Sequence, residues 1–282
     1  MNLSNYRIMG VINRTPDSFS DKGISLNPDF FQKQLSSFLA DPKIIIDVGF
    51  ESTAPMNNPI THVEELARFE NFLEASKQFS FVDRFISFDT YKVKNFKHMA
   101  HEFKKVHPKA HFIFNDVSGC LDVELNEALI EFRGHNFYYI YTSAHIPERS
   151  KTLEHMKFID EKTEIIESTA TSFKAAYDWF KTFGMEHQLI LDPGFGFSKT
   201  YEQNWRLVEH FNELEERLLE MKITNPILIG LSKKSFLKKA VNTSDVAATE
   251  ALHQECIKKI SKNSIMNLLF RVHDPKILSS SL

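Results

Sequence analysis

The stretch from Leu191 to Thr200, LDPGFGFSKT, places an apolar run (Leu189, Ile190, Leu191) directly before Asp192 and a loop with two glycines. A carboxylate at a strand end followed by a glycine loop is a ligand-site pattern. The same order recurs along the chain: IMGVIN ends at Asn13, KIIIDV carries Asp47 ahead of Gly49, and RFISF ends at Asp89. HFIF runs into Asn115 and Asp116, ILIG precedes Ser232 and two lysines, and the last apolar run closes as RVHD, with Arg271, His273 and Asp274. Polar groups at the ends of so many buried runs imply one shared pocket. Arg271 and His273 are two apart, so on a strand they share a face and can grip an anion such as phosphate. Asp47 and Glu51 in DVGFEST fit either an acid/base pair or metal site, or structural caps at a rim; spacing leaves both open. GFGFSKT resembles a triphosphate loop only in part, because Ser198 stands where the glycine before Lys199 is required. No G-x-G-x-x-G is present, so nicotinamide redox chemistry has no support.

Eight apolar runs can carry these groups: Arg7 to Ile12, Lys43 to Val48, Arg84 to Phe88, His111 to Phe114, Phe137 to Tyr141, Gln188 to Leu191, Ile227 to Leu231 and Ile265 to Val272. Stretches of helical spacing alternate with them: Asp29 to Leu39, Thr61 to Gln78, Val93 to Phe103, Leu153 to Phe183, Gln203 to Lys222 and Val246 to Lys259. Strand and helix in alternation imply parallel pairing through right-handed crossovers. A dinucleotide-type sheet gathers its site at one switch point, whereas these polar ends are spread over almost every strand, as around a barrel mouth. The expected fold is therefore an α/β (β/α)8 TIM barrel, one domain over residues 1–282, a length ordinary for that fold. The polar tail PKILSSSL implies a short or missing final helix. Asn27 is a plausible N-cap with Pro28 as first helical residue. That leaves a connection of about fourteen residues after the first strand, a length that is usually functional. The segment YTSAHIPERSKTLEHMKF after the fifth strand is either a mobile lid or a structural detour.

Net charge of −3 and a pI near 6.5 give no footprint for nucleic acid, and no apolar run approaches the length of a membrane span. With no signal-peptide plan at the amino terminus, a cytoplasmic protein is expected. Cys120 and Cys256 form no C-x-x-C pattern and read as buried packing. The histidines show no metal-ligand spacing, and most are expected at the surface.

Taken in order, these loops resemble the dihydropteroate synthase family of the pterin-binding TIM-barrel superfamily. IMGVINRTPDSFSDKG is similar to its first signature and IIIDVGFESTAP to its second; FISFDTYK, FNDVSG, LDPGFGFSKT, GLSKKSF and RVHD follow, from about residue 7 to 274. The resemblance implies condensation of 6-hydroxymethyl-7,8-dihydropterin pyrophosphate with p-aminobenzoate, giving 7,8-dihydropteroate and pyrophosphate without a covalent enzyme nucleophile. It implies pterin binding by Asp89, Asn115, Asp192 and Lys234, and pyrophosphate binding by Asn13, Arg271 and His273. It further implies Mg²⁺ at Asn13, p-aminobenzoate near Thr53 and Ser232, and a lid around Arg14, Thr15, Asp17, Ser18 and Phe19. A homodimer is the family's habit. The sequence departs from the family at Phe50 (a glycine), Ala54 (an arginine), Arg14 (an apolar residue), Lys22 (a glycine) and Lys233 (an arginine), and it lacks a Met-His pair after the fifth strand. Two other readings stay open: a noncatalytic pterin-binding paralogue, and a related enzyme using another pterin or amine.

Overall fold

Alternation along each strand decides which side chains enter the barrel and which face the helices. In the computed structural model, which describes residues 3, 6–14, 28–53, 57–134, 136–241, 245–262 and 264–278, eight parallel strands close in sequence order. They are β1 (Ile8–Asn13), β2 (Ile44–Gly49), β3 (Phe85–Asp89), β4 (His111–Asp116), β5 (Phe137–Thr142), β6 (Leu189–Asp192), β7 (Ile227–Ile229) and β8 (Leu268–Val272). β1 pairs with both β2 and β8, which removes every sheet edge. The expected TIM barrel is thus found, with each of the eight runs supplying one strand.

Met9, Ile45, Phe85, Ile113, Ile140, Ile190, Leu228 and Leu269, one from each strand, form an interior plug with Leu3 and Tyr6. The neighbours of opposite parity, such as Ile46, Phe88, Phe114, Leu191 and Phe270, join the larger cluster beneath the helices. Counting on from the plug by twos brings Asp47, Ser87, Asn115, Thr142, Asp192 and Arg271 to the same inner face, one layer nearer the strands' carboxyl ends. Apolar residues seal the barrel and polar ones roof it.

The helices are α1 (Pro28–Ala40), α2 (His62–Ser76), α3 (Val93–Val106), α4 (Val123–Phe132), α5 (Ile165–Thr182), α6 (Tyr201–Glu209), α7 (Phe211–Glu220), α8 (Ser235–Val241) and α9 (Val246–Lys262). α1 starts at Pro28 as expected; its proposed cap, Asn27, lies outside the described residues. α4 and α8 are additions. α4 was legible, since Asp122 caps the Leu125 amide at 2.9 Å and Leu125, Ala128, Leu129 and Phe132 fill one buried stripe. The single helix expected from Gln203 to Lys222 is broken at His210, whose backbone leaves the helical region at φ −122° and ψ 35°. The one expected from Leu153 to Phe183 is instead a 3-10 segment, Arg149–Phe158, followed by α5. The eighth strand starts at Leu268 rather than Ile265, because the Glu215 carboxylate takes the amides of Ile265 and Met266 and the Ser264 hydroxyl. After β8 the described chain makes one 3-10 turn, Pro275–Leu278, in line with the expected short ending.

Both cysteines are free and buried. Of the described histidines, His107, His111, His155 and His253 are buried, while the others are partly or fully exposed, as expected for most of them. Among the described residues no helix is long and apolar enough to cross a membrane.

Candidate functional site

Arg271 is the centre of the polar layer. Its Nε donates to Asp47 Oδ2 at 2.7 Å and its Nη2 to Asp89 Oδ2 at 2.6 Å, so one guanidinium joins β8 to β2 and β3 across the mouth. Burial works against its charge, yet Asp47 and Asp89 more than reverse this and its pKa is raised. Burial is also the main influence on Asp89, pushing it up to about 7 against the opposing pull of Arg271, with Asp47 adding to the rise. On β4, Asn115 donates its Nδ2 to Asp47 Oδ1 at 3.3 Å. Two acceptors are left over: Asp89 Oδ1 and Asn115 Oδ1 are buried and have no hydrogen-bond partner among the described residues. Native interiors seldom leave such oxygens unmet unless a ligand or water meets them.

Asp192 ends β6 and spends Oδ1 on the Gly194 amide at 2.8 Å. Gly194 has φ +68°, and a Cβ there would sit 2.8 Å from the Ser143 carbonyl, so this turn demands glycine. Two lysines flank the carboxylate. Lys199, buried, donates to the carbonyls of Ser143 at 2.7 Å and Phe197 at 3.1 Å; burial lowers its pKa to about 7, with Asp192 opposing. Lys234, directly before α8, is lowered by burial to about 8, again with Asp192 opposing, and its Nζ lies 4.7 Å from the centre of the Phe197 ring. Burial likewise raises Asp192, opposed by the Gly194 amide and then Lys234. Lys199 belongs to no triphosphate loop; it fixes the loop that turns Asp192 into the mouth.

On the rim, the Ser232 hydroxyl and His273 Nδ1 lie 3.0 Å apart. Burial holds His273 far below its usual range, with Lys233 adding to the effect, so it is a neutral imidazole. A Cβ at Gly49 would stand 3.5 Å from both Asn13 Oδ1 and Asp89 Oδ2, which places Asn13 beside the Arg271–Asp89 pair. Arg14 donates its amide to the Gly49 carbonyl at 2.8 Å, and its guanidinium rests over Phe31 with Cζ 4.6 Å from the ring centre. Thr15, Asp17, Ser18, Phe19, Lys22 and Ala54 lie outside the described residues. Asp89, Asn115, Asp192, Arg271, His273, Ser232, Lys234 and Asn13 therefore gather at one end of the barrel, with Thr53 near the start of loop two, the connection from β2 to α2.

Parity separates neighbours that sequence alone could not. Asp116 points away from Asn115, taking the Tyr139 hydroxyl at 2.9 Å and Arg149 Nη1 at 2.5 Å behind β4. Arg149 also donates to Asp122 at 2.8 Å and to the carbonyls of Tyr91 (2.9 Å) and Cys120 (3.1 Å). The segment after β5 is accordingly a structural detour clamped at its start. Phe50 departs from the family's glycine without entering the pocket; it is buried against Phe69 and Phe72 at 5.8 Å each. Glu51 accepts from Lys92 at 2.5 Å and from the Ile60 amide at 2.9 Å, which resolves its two readings toward a strut of loop two. Asp47, the other member of that pair, is the anchor of Arg271.

Comparison with known proteins agrees with this geometry. The family model described as pterin binding enzyme matches residues 9–267. A dihydropteroate synthase of Clostridium beijerinckii is 31% identical over 269 residues, covering 95% of this chain and 88% of the relative. Among solved structures, the Yersinia pestis dihydropteroate synthase in complex with a sulfonamide drug superposes with a TM-score of 0.77 at 26% identity, covering 100% of this chain and 93% of that one. A Clostridium difficile dihydropteroate synthase solved in the presence of pteroic acid gives 0.72 at 28% identity, covering 98% and 94%.

Proposed function

The chain belongs to the pterin-binding enzyme family as a dihydropteroate synthase, and we propose that the polar layer roofing its barrel is where the two substrates meet. It condenses 6-hydroxymethyl-7,8-dihydropterin pyrophosphate with p-aminobenzoate, releasing pyrophosphate and forming 7,8-dihydropteroate for folate synthesis.

The observation that carries the site assignment is the pair of unmet buried acceptors, Asp89 Oδ1 and Asn115 Oδ1, on adjacent strands. A reduced pterin presents ring N–H groups and a 2-amino group along one edge, which suits two such oxygens and the Asp192 oxygen that Gly194 does not use. Lys234 donates to the 4-oxo group. The Asp47 and Asp89 carboxylates hold two edges of the Arg271 guanidinium, leaving Nη1 for the departing pyrophosphate, with neutral His273 as a second donor. Thr53 and Ser232 border the amine. Catalysis then consists of holding the heterocycle, offsetting charge on the leaving group and keeping water from the pterin cation that the arylamine attacks. The first loop, with Thr15, Asp17, Ser18 and Phe19, is assigned as the lid.

Mg²⁺ belongs to this proposal. The described residues contain no cluster of three or more His, Cys, Asp or Glu able to hold a metal. Asn13, whose amide oxygen lies beside the Arg271–Asp89 pair, would be the chain's ligand to an ion otherwise held by pyrophosphate and water, the oxygen donors that Mg²⁺ favours. Its chemistry is to offset charge on the leaving phosphates.

The noncatalytic reading rests on the two loop-two departures, Ala54 and Phe50; Phe50 packs behind β2 and leaves the pocket unchanged, while Ala54 lies outside the described residues. The deciding experiment is a coupled assay of purified protein with both substrates and Mg²⁺. Turnover is expected; binding of the pterin without turnover would leave a binding module.

A further inference from the structure

A small apolar cluster of Tyr91, Val117, Ala144 and Phe197 lies apart from both main cores, with Leu153 packed against it. Leu153 comes from the 3-10 segment after β5, so this cluster fastens that segment to the loop following β6. Two residues on, His155 is 1% exposed. Its ring lies on Phe197, with centroids 4.4 Å apart and planes tilted by 32°, and Lys234 approaches the same Phe197 ring. The Ser198 amide donates to His155 Nδ1 at 3.4 Å, and the Ser198 hydroxyl donates to the His155 carbonyl at 2.8 Å. With Nδ1 accepting, a neutral ring carries its proton on Nε2. Nε2 is buried and has no hydrogen-bond partner among the described residues.

Loop two reaches the His155 ring at Thr53. Burial holds His155 down at about 4, so the ring is neutral, and the Thr53 backbone, within hydrogen-bonding reach of it, acts in the opposite direction. Further along the loop, Asn57, Asn58 and Pro59 look across a cleft of about 450 Å³ at Leu153, Glu154 and Met156.

We propose that His155 steadies the Thr53 end of loop two, its Nε2–H donating to the Thr53 backbone while its face packs on Phe197, and that it thereby sets how tightly the amine substrate is held. This rests on the assignment of the Thr53 side of the mouth to p-aminobenzoate. His155 touches no reacting atom in this scheme; it is a positioning residue acting through Thr53 and Phe197.

His155→Phe keeps a ring on Phe197 and removes the donor, whereas His155→Gln keeps a donor. Losing one hydrogen bond that orders the amine side is expected to raise KM for p-aminobenzoate about tenfold in His155→Phe, with KM for the pterin pyrophosphate within about twofold of wild type. His155→Gln should recover part of the loss. Hydrogen exchange supplies a readout independent of turnover: amides of loop two should exchange faster in folded His155→Phe than in wild type, while those of β6 stay unchanged. Equal rises in both KM values, or no change in either, would overturn the proposal, as would loop-two exchange that matches wild type. A wild-type protein with no turnover counts against the reaction, and the exchange comparison then decides the role of His155 by itself.

Discussion

Replacing Asp192 by asparagine tests the pterin assignment with almost no change in shape. The carboxylate accepts the Gly194 amide through Oδ1 at 2.8 Å, and the asparagine amide oxygen would keep that bond because the Gly194 N–H needs an acceptor, which the side-chain NH₂ cannot be. The NH₂ group must then take the position of Oδ2. A donor would face the N–H groups of the pterin, and the charge that holds Lys199 and Lys234 protonated would vanish with it. Loss of one charge-assisted hydrogen bond costs about 1.5 to 3 kcal/mol, so the dissociation constant for a pterin ligand should rise by roughly 10- to 150-fold. Isothermal titration calorimetry with a pterin, alongside a thermal melt, reads both parts. Unchanged affinity in a folded variant would remove Asp192 from the site, and a fall in Tm with matching loss of ligand binding would make its role the loop rather than the ligand.

The pH profile of kcat/KM should be a narrow bell. Asp89 must be ionised to accept, so activity falls as pH drops through about 7; Lys234 must be protonated to donate, so activity falls as pH rises through about 8. Asp47→Asn removes the like charge that helps raise Asp89, and the acid limb should move to lower pH; a limb that stays put would refute the coupling. Arg149→Ala leaves the Asp116 carboxylate buried without its cation, which should cost about 3 to 5 kcal/mol in a chemical melt, and an unchanged midpoint would refute the clamp. For Arg14, action on the leaving group predicts about a tenfold drop in kcat in Arg14→Ala, partly restored by Ala54→Arg. Unchanged turnover with a small loss of stability would make its role packing, as on the Phe31 face, rather than action on the leaving group.

The strands were legible because each is a short apolar run whose next polar residue marks the barrel mouth. The helices were read less well, and the reasons are local. α4, at ten residues, is short for its period to stand out in the sequence, although Leu125, Ala128, Leu129 and Phe132 repeat at helical spacing. The break at His210 has no proline or glycine to announce it, and the 3-10 segment after β5 is set by the tertiary clamp of Arg149 on Asp116 and Asp122, which no window of sequence contains.

Site residues divided along a different line. Asp192, Asn115 and Asp89 could be picked out because each ends an apolar run, but what each one does depends on parity. Counting by twos from Ile45 puts Asp47 and Gly49 inside and Val48 and Phe50 outside, so the glycine-to-Phe50 departure adds a side chain to the helix layer and none to the pocket. The same count turns Asn115 toward the mouth and Asp116 toward Arg149. What parity cannot supply is the partner of a side chain once it arrives. Arg271 and His273 do share the mouth, yet the arginine is held by two carboxylates and the histidine is kept neutral by burial and neighbouring cations. Their capacity for an anion is thus one guanidinium edge and one imidazole donor, weaker than two full charges, and this places a larger share of leaving-group stabilisation on whatever the pyrophosphate brings with it.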